Sequence, residues 1–171
     1  MNRKKRLLIL KFTLYFLITV LLYCFQTTPF MLEISGTKPL LSFTFALCVA
    51  IFEGSVAGGF FGFFCGILLD FTSDMLFGLN ALVCFACCAG AALLVIFLVR
   101  RTLWTSLLIV AAASALRAFV EYYLLYGMWD YSGAGTVFLG RLLPVALYSV
   151  VFTLLFYPLV AFIKQRLDFE V

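Results

Sequence analysis

Histidine is absent from this chain of 171 residues. That absence removes the commonest general base and the commonest zinc ligand together. Charge is scarce as well, with Asp, Glu, Lys and Arg making up 12% of the residues, where a soluble domain carries about 25%. No polar stretch is long enough to house a soluble domain, and no repeat or low-complexity segment occurs. Ser–His pairs, HExxH and GxGD are missing, and the single Gly–Ser step, Gly54–Ser55, has no base beside it. Phosphate-binding loops and basic nucleic-acid arms are also missing. What fills the chain instead is hydrophobic: 65% of residues are apolar and the mean hydropathy is +1.17. One globule cannot bury that much apolar surface, so lipid must solvate a large part of it.

The net charge of +4 does not point to nucleic acid, because the basic residues stand at the ends of apolar runs, where they act as topology signals. The six cysteines, Cys24, Cys48, Cys65, Cys84, Cys87 and Cys88, all lie within those runs. Cys84, Cys87 and Cys88 have a spacing that resembles a metal motif, but no second pair and no histidine completes it. They read as small apolar side chains at helix contacts, and neither a metal nor any other cofactor is expected.

A helix needs about 20 apolar residues to cross the hydrocarbon. Residues 7–25 satisfy this behind a basic cluster, Arg3, Lys4, Lys5 and Arg6. The stretch exceeds a signal-peptide core of about 7–15 residues and no small-x-small site follows, so it reads as a retained signal-anchor. Lys11 is close enough to the basic end to snorkel to the headgroups. Further spans are expected at 39–52, 54–71, 79–99, 102–125 and 137–163, with the second and third short, tilted and joined at Glu53 and Gly54. About six spans put the N-terminal cluster, the Arg100–Arg101 turn and the Lys164–Arg166 tail on one side, as the positive-inside rule requires. Both termini are then cytoplasmic. Trp104 at the inner turn and Tyr126, Trp129 and Tyr131 in the outer loop fit interfacial aromatic belts. The fold class expected is an all-α integral membrane protein in a single transmembrane domain.

Three features stand out within the spans. Gly54, Gly58, Gly62 and Gly66 recur every four residues and Asp70 continues the series, which lays a small-residue groove along one helix face. Packing inside the bundle and contact with a partner helix both use such a groove. Asp70 sits where a helix macrodipole is negative, so it needs a partner: turn N–H groups, Asn80 or a cation. Arg117 and Glu121 lie one turn apart inside the fifth span, and intramembrane charges usually face the bundle interior or mark function. Arg117 falls ~24 Å beyond Arg101 along the helix, at the depth of Asp70. Asp74, Asp130 and Arg141 gather on the same side. A mutually neutralising network and a polar cavity or docking site are the two readings of this cluster.

The run Gly62-Phe63-Phe64-Cys65-Gly66-Ile67-Leu68-Leu69-Asp70, followed by Phe77-Gly78-Leu79-Asn80-Ala81-Leu82, resembles the G-F-x-x-G-L-L-x-D core and Gly-Leu-x-Ala-Leu stretch of the bacterial rod shape-determining MreD family. Length and span pattern are similar over the whole chain. The resemblance implies a non-enzymatic scaffold of the cell-elongation complex in the bacterial cytoplasmic membrane. Such a scaffold binds MreC and, indirectly, MreB and the RodA–penicillin-binding polymerase pair of lateral peptidoglycan synthesis. It leaves a homo-oligomer open. It also implies a six-helix bundle similar to the substrate-binding S components of energy-coupling factor transporters, which supply the alternative function of vitamin or micronutrient uptake. S components are associated with an alanine-rich face on the first span, whereas the first alanine here is Ala46. An intramembrane enzyme ranks third.

Overall fold

The computed structural model describes residues 3–28, 39–73, 77–124 and 143–168. Among these residues the chain is all-helical. The helices are α1 (Arg3–Thr27), α2 (Leu41–Glu53), α3 (Ser55–Asp70), α4 (Leu79–Phe97), α5 (Leu103–Tyr122) and α6 (Leu143–Asp168). Four helices, α1, α4, α5 and α6, are long and apolar enough to cross a membrane, while α2 and α3 are shorter apolar helices. These four mark a multi-pass membrane protein.

Backbone chemistry sets the joints. Gly54 separates α2 from α3 at φ 98° and ψ 177°, a region open to glycine alone without strain. Gly78 opens α4 in the left-handed region, at φ 95°. Thr102 begins α5 with a reciprocal cap: its hydroxyl accepts from the Thr105 N–H, and the Thr105 hydroxyl accepts from the Thr102 N–H. Gln26, near the end of α1, reaches the start of α2, where its Oε1 accepts from the Ser42 N–H and hydroxyl at 3.3 Å.

The short helix α2 is the centre of the bundle. Every residue from Leu41 to Phe52 is buried, and α2 contacts α1, α3, α4, α5 and α6. One apolar cluster joins Phe43, Leu47 and Ile51 to α3, α4 and α5, and a second joins Phe45, Val49 and Phe52 to Tyr15 of α1 and Phe156 of α6. The long helices turn large apolar side chains outward, among them Leu17, Phe97, Leu108 and Leu155. In water such a surface would aggregate. In lipid it is the expected exterior, and the interior is held by close packing rather than by apolarity alone.

Candidate functional site

A carboxylate stands at each end of α3, Glu53 at the end of α2 just before it and Asp70 as its last residue, and polar side chains collect around both. At its C-terminal end Asp70 is 4% exposed. Its carboxylate accepts from the N–H groups of Gly78, Asn80 and Ala81 at 2.9, 3.1 and 3.2 Å. Gly78, the N-cap residue just before α4, has no side chain with which to cap that helix, so Asp70 caps it from the neighbouring helix. The macrodipole problem is thereby resolved. Asp70 lies at the negative end of α3 but also at the positive end of α4, and it satisfies donors that α4 leaves open.

Asn80 extends this arrangement. Its Nδ2 donates to Ser73 Oγ at 3.0 Å, and its Oδ1 accepts from Arg117 Nη2 at 2.8 Å. Arg117 is buried, stands 5.7 Å from the Phe43 ring centroid, and approaches Glu121 at 3.9 Å. Asp70, Asn80, Arg117 and Glu121 therefore share one end of the bundle, but Asp70 meets Asn80 and not Arg117. Asn80 separates the carboxylate from the guanidinium, so Asp70 and Arg117 are linked through Asn80. Arg141, Asp74, Asp130 and the aromatic loop residues Tyr126, Trp129 and Tyr131 lie outside the described residues.

The glycine series is used within the chain. A Cβ added at Gly58 would run into Ala50 of α2, 2.5 Å from its Cα. At Gly62 it would lie 2.6 Å from the Cys84 carbonyl oxygen of α4, and at Gly66 2.5 Å from the Asn80 carbonyl oxygen. Four residues turn an α-helix through slightly more than one full turn, so the groove drifts from α2 at Gly58 to α4 at Gly66. Gly54 does not belong to this packing. Nothing approaches its missing side chain within 4 Å, and its role is the positive φ of the joint. Gly59 faces the Phe85 ring of α4 at 3.0 Å, so it borders the groove rather than pointing away from it. Cys65, Cys84, Cys87 and Cys88 are buried free thiols at these contacts, and the described residues contain no metal-binding group of His, Cys, Asp and Glu.

The other joint holds a cluster that sequence reasoning missed. Glu53 pairs with Lys11 of α1 at 2.8 Å, with both side chains 10% exposed or less. Lys11 does not snorkel outward. The end of α2 places a carboxylate beside it, and pairing inside the protein replaces the headgroup contact. Tyr15 OH donates to Glu53 at 3.3 Å, and Lys164 of α6 stands 4.0 Å from the same carboxylate while donating to the Phe52 carbonyl oxygen. The Tyr157 hydroxyl, also on α6, donates to the Arg101 carbonyl oxygen at 3.4 Å. Lys11, Arg101 and Lys164 thus lie at the Glu53 end of the bundle, and Arg117 lies at the Asp70 end. The only sequence signal was Glu53 itself, a lone charge in a long apolar stretch.

Both clusters hold buried charge in a scaffold of helices, and neither sets a nucleophile against a base among the described residues. Comparison of the chain with family models, with curated proteins and with solved structures gave no match.

Proposed function

We propose that this protein is a non-enzymatic scaffold of the MreD kind, a six-span bundle similar in fold to energy-coupling factor S components, with both termini in the bacterial cytoplasm. The carrying observation concerns the segment that resembles that family. Its distinctive residues are spent on architecture: Gly62 and Gly66 admit α4, Asp70 and Gly78 start α4, and Asn80 ties α4 to Arg117. That use suits a rigid membrane body better than a reactive centre. The grouping of Lys11, Arg101 and Lys164 at one end supports a common cytoplasmic side for the basic segments. Since the glycine groove is filled from within, the surface for a single-span partner such as MreC lies on the outward faces of the long helices.

Gentle purification from native membranes, followed by mass spectrometry of everything bound, tests the reading. MreC is expected in the complex without any added substrate, and depletion is expected to round a rod-shaped cell. A stoichiometric vitamin-sized ligand with an ATPase module and no MreC would establish the transporter alternative instead. Topology is checked in a Cys24→Ser background, because the other thiols are buried. A cysteine at Ser132 is expected to label from outside and one at Arg100 from inside.

A further inference from the structure

Among the described residues, the buried side-chain polar atoms left without a hydrogen-bond partner are Nε and Nη1 of Arg117. The residue is 7% exposed. Its one hydrogen bond among the described residues, from Nη2, goes to a neutral amide oxygen, that of Asn80. The nearest carboxylate among the described residues, Glu121, is 3.9 Å away with a third of its side chain exposed. Asp70 is occupied by three backbone N–H groups. The Phe43 ring lies 5.7 Å from the guanidinium carbon and offers no hydrogen-bond acceptor of the carboxylate kind. A buried cation whose charged donors are idle is costly in a medium of low dielectric, and the other described residues of the interior avoid it.

We propose that Arg117 is an oxyanion-binding residue, which takes a phosphate or carboxylate group where α2, α4 and α5 meet. Arginine suits that task. Its guanidinium is charged at every accessible pH and presents planar, directed donors that match phosphate and carboxylate oxygens. Asn80 holds the side chain by one nitrogen and leaves others for the ligand, and the Phe43 ring lies under the guanidinium carbon at 5.7 Å. The anion is either the headgroup phosphate of a membrane lipid or a soluble oxyanion that reaches the Asp70 end. The inference does not rest on the scaffold reading, because an anion can be held with or without a protein partner.

The test uses the full chain in a phosphate-free maltoside detergent, with the thermal midpoint followed during three separate titrations: phosphatidylglycerol in mixed micelles, inorganic phosphate, and acetate. A saturable rise is expected in at least one titration, and the one that responds identifies the source. Arg117→Gln is expected to weaken half-saturation about tenfold, equivalent to about 1.4 kcal/mol. Arg117→Lys, which keeps the charge but loses the planar fork, is expected to weaken it as well. Glu121→Gln removes the neighbouring negative charge and is expected to tighten binding severalfold. No saturable rise in any titration, or an equal response in Arg117→Gln, overturns the proposal. If Arg117→Gln does not fold, Glu121→Gln decides, and unchanged or weakened half-saturation there overturns it.

Discussion

Glu53 and Asp70 stand at opposite ends of α3, and the protein neutralises them by different means. Asp70 is held by the backbone of the next helix, through N–H groups within eleven positions of it in the chain. Glu53 is held by ammonium groups from the first and last helices, Lys11 and Lys164. One end is thus a local hairpin that could form as soon as α4 follows α3. The other is a long-range lock that needs α1, α2 and α6 together. The lock is expected to matter more to stability, because breaking it upsets the pairing of buried charges, whereas Asp70 answers neutral backbone donors.

Removing Glu53 is expected to have the largest effect. Glu53→Ala removes the carboxylate that pairs with the buried Lys11 ammonium, and a loss of about 3–5 kcal/mol is expected in a detergent unfolding assay. The double variant Lys11→Met, Glu53→Ala is expected to recover most of it. A loss below about 1 kcal/mol would show that the pair behaves as an exposed one. Next comes the glycine contrast. Gly66→Ala forces α3 and α4 apart where backbone meets backbone, with an expected cost of about 3 kcal/mol. Gly54→Ala meets no neighbour and strains only φ and ψ, at about 1–3 kcal/mol. A reversed order would mean that the joint, not the groove, is the tighter constraint. Asp70→Asn keeps one acceptor oxygen at the start of α4 and is expected to cost about 1–2 kcal/mol, read as the shift in the same unfolding curve. The smallest effect is the Arg117–Glu121 coupling. At 3.9 Å with a partly exposed partner, a double-mutant cycle is expected to give less than about 0.5 kcal/mol.

The two ends also differ in how far the sequence revealed them. The spacing of Gly58, Gly62 and Gly66, the carboxylate after them and Gly78 together describe a helix hairpin, because all of its determinants are neighbours along the chain. Glu53–Gly54 likewise marked a break. The role of Lys11 was hidden, since the contacts around Glu53 and Phe52 span 38 and 112 positions, and helical periodicity carries no information over such distances. The central place of α2 was hidden for another reason. In a soluble protein an all-apolar helix is recognised as buried because its neighbours are half polar. Here lipid-facing and core-facing surfaces are equally apolar, so composition does not tell the axis of the bundle from its rim. The division of labour along the glycine series, with Gly54 a joint and the later positions a groove, also required the direction of each neighbouring helix.

The burial of α2 has a bearing on how the chain assembles. Synthesis proceeds from the N-terminus, so α2 is made with α1 before it and α3 directly after it, long before α6 exists. Until α6 arrives, the side of α2 that carries Phe45 and Val49 lacks the wall that Phe156 and Val160 provide. Helices α1 and α6 are therefore two halves of a clasp around α2, and the arrival of α6, which brings Lys164 to Glu53, closes the bundle only after α1 to α5 have been made.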